Sequence, residues 1–408
     1  MKNCFSKETT QKLIFITIFF IVGFTIEFFY RKPLFDNSVS IAKAVQDSFR
    51  PSTTFFKYYA FLGVGEFYLA IVFFICFPIT YSFTFFLNIT VSVHLCNFAK
   101  LVYSQGRPFL LDEAVYITCE PGYGNPSGHS FQFTSNLLAF AQMFIDLFKL
   151  RKKSCIIIYV ICGILILSIN FSRIVLGVHS LNQVIFGDTL GFTVYFIICK
   201  IIQPHKISEE KFFNAFLTLK FHIFNIIAII INAISLTIAA IVNDKMESEK
   251  YEILKKGLED ICKSTENGML SRDAKTKFLY IFAYYGMILG ITLLTYYVKN
   301  KYHGNYFELN YYYKNSQAKC FIKYLTRFLF TIICYVPQFA IYTNKKINIY
   351  VIYILGSAFP MFIFGFLLFS VNYILTIEFN LANSQLYTFF VKKEENTDYV
   401  LGEIEETE

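Results

Sequence analysis

Three short polar blocks stand out in an otherwise apolar chain. The first is Lys100-Leu-Val-Tyr-Ser-Gln-Gly-Arg107-Pro108, the second Pro126-Ser127-Gly128-His129, and the third Ser172-Arg173 with His179 six residues after the arginine. Together they hold two histidines, three strong cations and a serine–glycine pair. Cations and imidazoles placed next to apolar runs are costly beside lipid and mark function. Lys100, Arg107 and Arg173 supply fixed positive charge, and the forked guanidinium donors match the oxygens of a phosphate. Ser127 and Gly128 stand where a helix is expected to start after Pro126, so unpaired N–H groups and the positive helix end attract an anion there. Glycine lets that ligand approach the main chain. Such a cage suits phosphoryl transfer, whose transition state carries charge on equatorial oxygens. Two imidazoles then divide the remaining labour: one attacks phosphorus in line and the other protonates the leaving oxygen. No acidic cluster suited to magnesium accompanies the blocks, so the expected reaction needs neither metal nor other cofactor.

The elements that must position these blocks are membrane helices. Of 408 residues 55% are hydrophobic and only 16% charged, with the charges clustered between apolar runs, which excludes an ordinary soluble domain. The expected fold class is all-α, a polytopic helical bundle. Apolar runs at 13–30, 59–80, 84–102, 130–148, 155–171, 180–201, 221–242, 278–297, 324–343 and 348–374 give about ten spans of the length a helix needs to cross hydrocarbon. Residues 36–50 have helical apolar spacing and suit a short helix lying in the interface. The first run is read as a retained signal anchor, since no small-residue cleavage site follows it. Spans 59–80 and 84–102 are expected to form a hairpin hinged near Pro78. Net charge is +8, but the basic residues occupy short loops, so topology and lipid headgroups explain them and nucleic acid is not an expected partner.

Alternation of the spans brings all three blocks to one face. The Lys149–Lys153 turn and the lysine-bearing loops at 203–220 and 298–323 fall on the other, which the positive-inside rule makes cytosolic. The site is therefore expected to face a lumen or the exterior, from the endoplasmic reticulum or the plasma membrane; the basic loop at 31–57 argues the other way. Ten cysteines show no metal-type spacing. Cys76, Cys96, Cys155, Cys162, Cys199 and Cys334 lie inside or at the ends of apolar runs as small hydrophobes, whereas Cys119 and Cys262 are the pair able to meet in a loop compartment.

The pattern Lys-x6-Arg-Pro, Pro-Ser-Gly-His, Ser-Arg-x5-His resembles the superfamily of type-2 phosphatidic acid phosphatases, glucose-6-phosphatases and vanadium haloperoxidases. The resemblance implies a core of about six helices and a phosphohistidine mechanism. It implies His179 as nucleophile, His129 as general acid, and Lys100, Arg107, Ser127, Gly128 and Arg173 as phosphate holders. The resemblance places that core at 59–202, and the apolar runs and charge divide the rest of the chain into 1–58 (anchor and interfacial helix), 203–380 (further membrane helices with a charged segment at 243–277) and 381–408 (acidic cytosolic tail). One position departs: the family pattern has an aspartate four residues after the nucleophile, and this chain has Gln183. On a helix i and i+4 share a face, so the Gln183 amide oxygen can still accept from the far imidazole nitrogen and fix its tautomer.

The function expected is hydrolysis of phosphomonoesters, most simply of lipid phosphates such as phosphatidate or a sphingoid-base phosphate, with membrane lipids as surroundings. Gln183 and the run Cys119-Glu120-x-Gly122-x-Gly124 are similar to the glucose-6-phosphatase branch, which keeps a sugar phosphate open. A non-hydrolytic lipid-phosphate binder or transporter is the alternative of another class. Four polar features outside the blocks have plain structural explanations: His94 as a packed histidine, Asp188 as an interhelical hydrogen-bonding group, Glu120 as a solvated loop carboxylate, and the 243–277 segment as a surface helix. The sharper reading of that segment is a lid.

Overall fold

A computed structural model of the chain describes residues 6–49, 53–60, 77–111, 118–120, 122–262, 281–301, 329 and 359–378. Every regular element among them is helical: α1 (Lys7–Phe49), α2 (Thr53–Tyr59), α3 (Ile79–Tyr103), α4 (Pro108–Leu111), α5 (Gly128–Leu147), α6 (Lys152–Val175), α7 (Leu181–Tyr195), α8 (Glu209–Phe216), α9 (Leu219–Cys262), α10 (Ile281–Lys301), α11 (Phe359–Phe369) and α12 (Val371–Glu378). The protein is an integral membrane protein built as a helical bundle.

Among the described residues six helical stretches are long and apolar enough to span, rather than ten: Lys7–Phe49, Ile79–Leu110, Lys152–Val175, Leu181–Lys206, Leu219–Ala239 and Ile281–Asn300. Two of the expected spans, 59–80 and 324–343, fall almost wholly outside the described residues. The described part of a third, 348–374, breaks at Ser370 into two short helices, α11 and α12. The fourth, 130–148, does form as α5, but it carries Gln132, Asn136, Gln142 and Asp146. Asn136, Gln142 and Asp146 find their partners within the protein. Asn88 Nδ2 on α3 donates to Ser135 Oγ at 3.0 Å and to Asn136 Oδ1 at 2.7 Å, and Gln142 Nε2 donates to Asp146 at 2.7 Å. A helix surrounded by helices can afford a polar composition that a lipid-facing one cannot.

α5 and α7 cross closely beneath the polar blocks. A Cβ added at Gly191 would stand 2.4 Å from the Phe131 carbonyl oxygen, and one at Gly187 2.8 Å from that of Ser127. Small residues let the two backbones meet, as helices in lipid require. Asp188 adds a polar tie, accepting from Thr134 Oγ1 at 2.7 Å and Asn170 Nδ2 at 2.5 Å. It therefore links α5, α6 and α7 and does not pair with Arg173. His94 is buried on α3, where it lines a cavity shared with α9 and α10.

The N-terminal region departs from expectation. Residues 36–50 do not form a separate interfacial helix; they continue α1 through Pro33 to Phe49. The reason lies in its buried stripe of Ile16, Gly23, Glu27, Ser38, Ala42 and Gln46. These residues recur at four, seven and eleven positions, which keeps them on one face of a helix over its whole length. The lower half of that face packs on α7, where Phe19 meets Phe192 at 4.7 Å between ring centres. The upper half docks on the loops that carry the polar blocks.

Likewise 221–242 is not an isolated span, because α9 continues unbroken to Cys262. The first part of the 243–277 segment is thus helical, while its remainder and the 381–408 tail lie outside the described residues.

Candidate active site

Four helix ends converge at one end of the bundle: the C-termini of α3 and α6 and the N-termini of α5 and α7. α3 begins directly after Pro78 and ends with Lys100 in its last turn. Lys100 is buried, and a Cβ built on Gly128 would lie 3.6 Å from its Nζ. The amine of the first block thus stands over the start of α5. Ser127 caps that helix, its hydroxyl accepting from Ser130 N at 3.4 Å and Ser130 Oγ at 3.0 Å. Ser127 N in turn donates to the Gln183 carbonyl at 2.9 Å, which fixes the second block to the third. His129 follows one residue inside the helix.

The third block turns on Gly177. α6 closes with Gly177 N donating to Ile174 O at 2.9 Å and Val178 N to Arg173 O at 3.3 Å, the hydrogen-bond pair of a Schellman ending. Gly177 has φ 67°, a left-handed conformation that disfavours any side chain. The reversal leaves Arg173 in the last turn of α6 and brings His179 back beneath it, just before α7.

His179 is held at both nitrogens. Nδ1 lies 2.9 Å from the Gly124 carbonyl and 3.2 Å from Gln183 Oε1, both acceptors. Nε2 lies 3.1 Å from Arg107 Nη1, which can only donate. The proton is therefore on Nδ1, and the Nε2 lone pair points into the cluster of cations. Gln183 Oε1 also accepts from Ser180 N at 3.3 Å, and Gln183 Nε2 donates to Gly106 O at 2.9 Å. Gln183 stands where spacing placed it, but the nearer acceptor is the Gly124 carbonyl, which no side-chain pattern could reveal. Burial, and after it the charges of Arg107 and Arg173, hold the imidazole well below its ordinary 6.5, so the ring is neutral near pH 7.

Glu120 is not the solvated loop carboxylate its surroundings in the sequence suggest. Arg173 Nη2 donates to both of its oxygens at 2.5 Å, and Arg107 Nη1 donates to Oε2 at 3.0 Å. Arg107 Nε also donates to Gly122 O at 3.0 Å, and Nη1 to Val178 O at 3.2 Å. The two guanidiniums converge on one anion, and here the anion is Glu120. Burial works against its ionisation, yet Arg173 and Arg107 together hold it well below the ordinary carboxylate value. Both His129 and His179 act electrostatically on this same carboxylate. Arg107, Arg173, Glu120 and His179 therefore form one hydrogen-bonded cluster, with Lys100 over the start of α5, where His129 stands. Among the described residues no group of three or more His, Cys, Asp or Glu side chains is arranged to hold a metal ion.

Cys119, next to Glu120, is disulfide-bonded, and its partner lies outside the described side chains; the Cys262 pairing stays an expectation. Cys96, Cys155, Cys162 and Cys199 are free thiols.

Residues 80–207 match the PAP2 superfamily. Phosphatidylglycerophosphatase B of Bacillus subtilis (strain 168) is 28% identical over 92 residues, covering 22% of this chain and 45% of that protein, so the match spans under half of the relative's length. The crystal structure of the first transmembrane PAP2 type phosphatidylglycerolphosphate phosphatase from Bacillus subtilis aligns over 50% of this chain and 99% of its own, at 20% identity and a TM-score of 0.40. Lys100 through Gln183 all lie inside the segment that is similar to the PAP2 superfamily.

Proposed function

We propose that this protein is a membrane phosphatase that hydrolyses phosphomonoesters of lipids through a phosphohistidine intermediate, without a metal ion. The observation that carries the reading is the His179 ring: its Nδ1–H is tied to Gly124 and Gln183 while Nε2 faces the arginines. In the proposed reaction, substrate phosphate replaces the Glu120 carboxylate between Arg107 and Arg173. Lys100 and the α5 N-terminus at Ser127 and Gly128 take its remaining oxygens. Burial and the Arg173 charge hold the His129 imidazole below its ordinary 6.5, so it takes up a proton as the anionic phosphate enters. Nε2 of His179 attacks phosphorus as the phosphorus–ester oxygen bond breaks, and His129 gives that proton to the leaving alcohol. His129 then takes a proton from water, whose oxygen attacks the phosphohistidine. The phosphorus–nitrogen bond breaks, phosphate leaves, and the Nε2 lone pair is restored. Gln183 and Gly124 hold the ring in the required tautomer throughout.

Two features favour a lipid phosphate. α6 presents Ile156, Ile157, Val160, Ile161, Ile164 and Leu167 outward, an apolar path leading up to Arg173 along which a bilayer-borne headgroup can arrive laterally. The Bacillus relative is named for a phospholipid phosphate. A sugar phosphate is the second reading, favoured by Gln183 in place of aspartate. The disulfide at Cys119 supports a site that faces a lumen or the exterior, because such bonds persist in oxidising compartments.

Phosphate release from phosphatidate, a sphingoid-base phosphate and glucose 6-phosphate, measured in chelator with purified full-length protein, tests the reading. Lipid phosphates are expected to be hydrolysed and His179→Ala to abolish the release. Preference for the sugar phosphate would replace the substrate class. Absence of release from every substrate would overturn the enzyme reading.

A further inference from the structure

Glu27 interrupts the apolar run 13–30 and is 1% exposed on α1. An acidic group at that depth is expensive unless its partners need it. Both of its oxygens are engaged by loops of the active site. Asn125 Nδ2 donates to Oε1 at 2.6 Å, and Asn182 Nδ2 donates to Oε2 at 3.3 Å. Asn125 directly precedes Pro126-Ser127-Gly128-His129, and Asn182 lies between His179 and Gln183. Asn182 Nδ2 also reaches Gln105 Oε1 at 3.3 Å, two residues before Arg107, while its Oδ1 accepts from Ser180 Oγ at 2.6 Å. The Gln105 carbonyl accepts from Gly124 N at 2.8 Å, and Gly124 O is the acceptor that orients His179. The loops of the second and third blocks thus meet at one carboxylate, and the first joins them through Asn182. That carboxylate belongs to a helix outside the matched 80–207 segment.

We infer that Glu27 is a positioning residue for the reaction, holding the His129 loop and the His179 loop in register through Asn125 and Asn182. The inference rests on the phosphohistidine reading above. A carboxylate offers acceptors only, so it satisfies two amide donors at once. Glutamine offers one acceptor and one donor. Asn182 cannot turn its amide to suit, because Oδ1 holds Ser180. Asn125 can, because its Oδ1 has no hydrogen-bond partner among the described residues. Glu27→Gln therefore keeps a contact to each loop, whereas Glu27→Ala keeps neither. α1 retains other ties to the site end, with Leu181 N donating to Ser38 Oγ at 2.7 Å and Gln46 Nε2 to Val175 O at 3.0 Å, so the alanine variant should still dock.

The test is steady-state kinetics of full-length Glu27→Ala and Glu27→Gln in lipid nanodiscs, with kcat normalised to protein that elutes as a folded species. Glu27→Ala is expected to lose at least tenfold in kcat and to weaken vanadate inhibition in parallel, and Glu27→Gln to recover most of both. A purely structural role would lower the folded yield and leave kcat and vanadate affinity of the folded fraction at wild-type values; that result overturns the inference while His179→Ala still reports on the mechanism. Should Glu27→Ala fail to fold, Asn125→Ala takes its place against Glu27→Gln, with a kcat loss expected in Asn125→Ala and wild-type kcat there overturning the inference. Should wild-type protein hydrolyse nothing, the mechanism fails separately. Vanadate-induced thermal stabilisation then decides: a shift reduced in Glu27→Ala and restored in Glu27→Gln supports positioning, and an equal shift in Glu27→Ala and wild type refutes it.

Discussion

At His179 the two ring nitrogens have different neighbours, and that difference gives the residue its chemistry. Acceptors on the Nδ1 side and Arg107 on the Nε2 side leave one tautomer, with the lone pair toward the cations. Glu120 shows how strongly those cations call for an anion, since it joins Arg107 and Arg173 at once. In the proposed reaction substrate phosphate displaces it, so Glu120→Gln is expected to strengthen vanadate inhibition by about tenfold, the effect of removing roughly 1.4 kcal/mol of competing interaction. A weaker inhibition would mean that Glu120 holds the arginines in place for the substrate instead. Arg107→Ala and Arg173→Ala should each lower kcat by ~10²–10³, the usual cost of losing one donor to transition-state charge, measured at saturating substrate with vanadate binding as a parallel readout. The gathering of Arg107, Arg173 and His179 was legible in the sequence, because their spacing puts each at an end of an apolar helix on the same face. The Gly124 carbonyl was not, since a main-chain oxygen has no residue type to betray it. Nor was the Glu120 bridge, which exists only after Arg107 and Arg173 have been brought together from distant helices.

Among the elements, α5 and α1 are the instructive pair. α5 looks too polar to be a lipid-facing span because it is enclosed, and its asparagine and serine find partners on α3. Hydropathy measures affinity for lipid, so a helix that never meets lipid is under no pressure to score well. Its contact with α7 depends on Gly191, where even a methyl group would press on the Phe131 backbone at 2.4 Å. Gly191→Ala is therefore expected to destabilise the bundle by about 1–3 kcal/mol, the usual cost of overpacking, seen as a lower midpoint in thermal unfolding. An unchanged midpoint would mean the two helices can part without loss. α1 was read as two helices because Pro33 and the charges around it look like a break. Its docked face over 43 residues outweighs one missing hydrogen bond. The eleven-residue interval from Glu27 to Ser38 was visible in the sequence but carried no meaning until the loops it contacts were in place.

For the molecule as a whole, apolar helices bring every polar block to one end, and the alternation of spans anticipates that gathering. The opposite end carries its own polar cluster, where His205 Nε2 lies 2.9 Å and Lys206 Nζ 3.2 Å from Asp146. Stability should depend on pH in a defined direction. His179 in the folded protein resists protonation, first through burial and then through the arginines, whereas in the unfolded chain it binds a proton near 6.5. Stability from the neutral ring is complete above pH 6.5 and declines as pH falls below it, by at most about 1.4 kcal/mol per pH unit. Glu120, depressed from 4.5, adds a second loss in the same direction at lower pH. Thermal midpoints should thus fall between pH 6.5 and pH 5, and a flat or rising profile would contradict the charge arrangement described here. The most direct measurement is to quench wild-type enzyme in alkali during turnover of a radiolabelled lipid phosphate and to map the label by peptide mass spectrometry. Phosphate is expected on His179, absent in His179→Ala and still formed in His129→Ala with an activated ester as substrate. Turnover with no label on His179 would contradict the account.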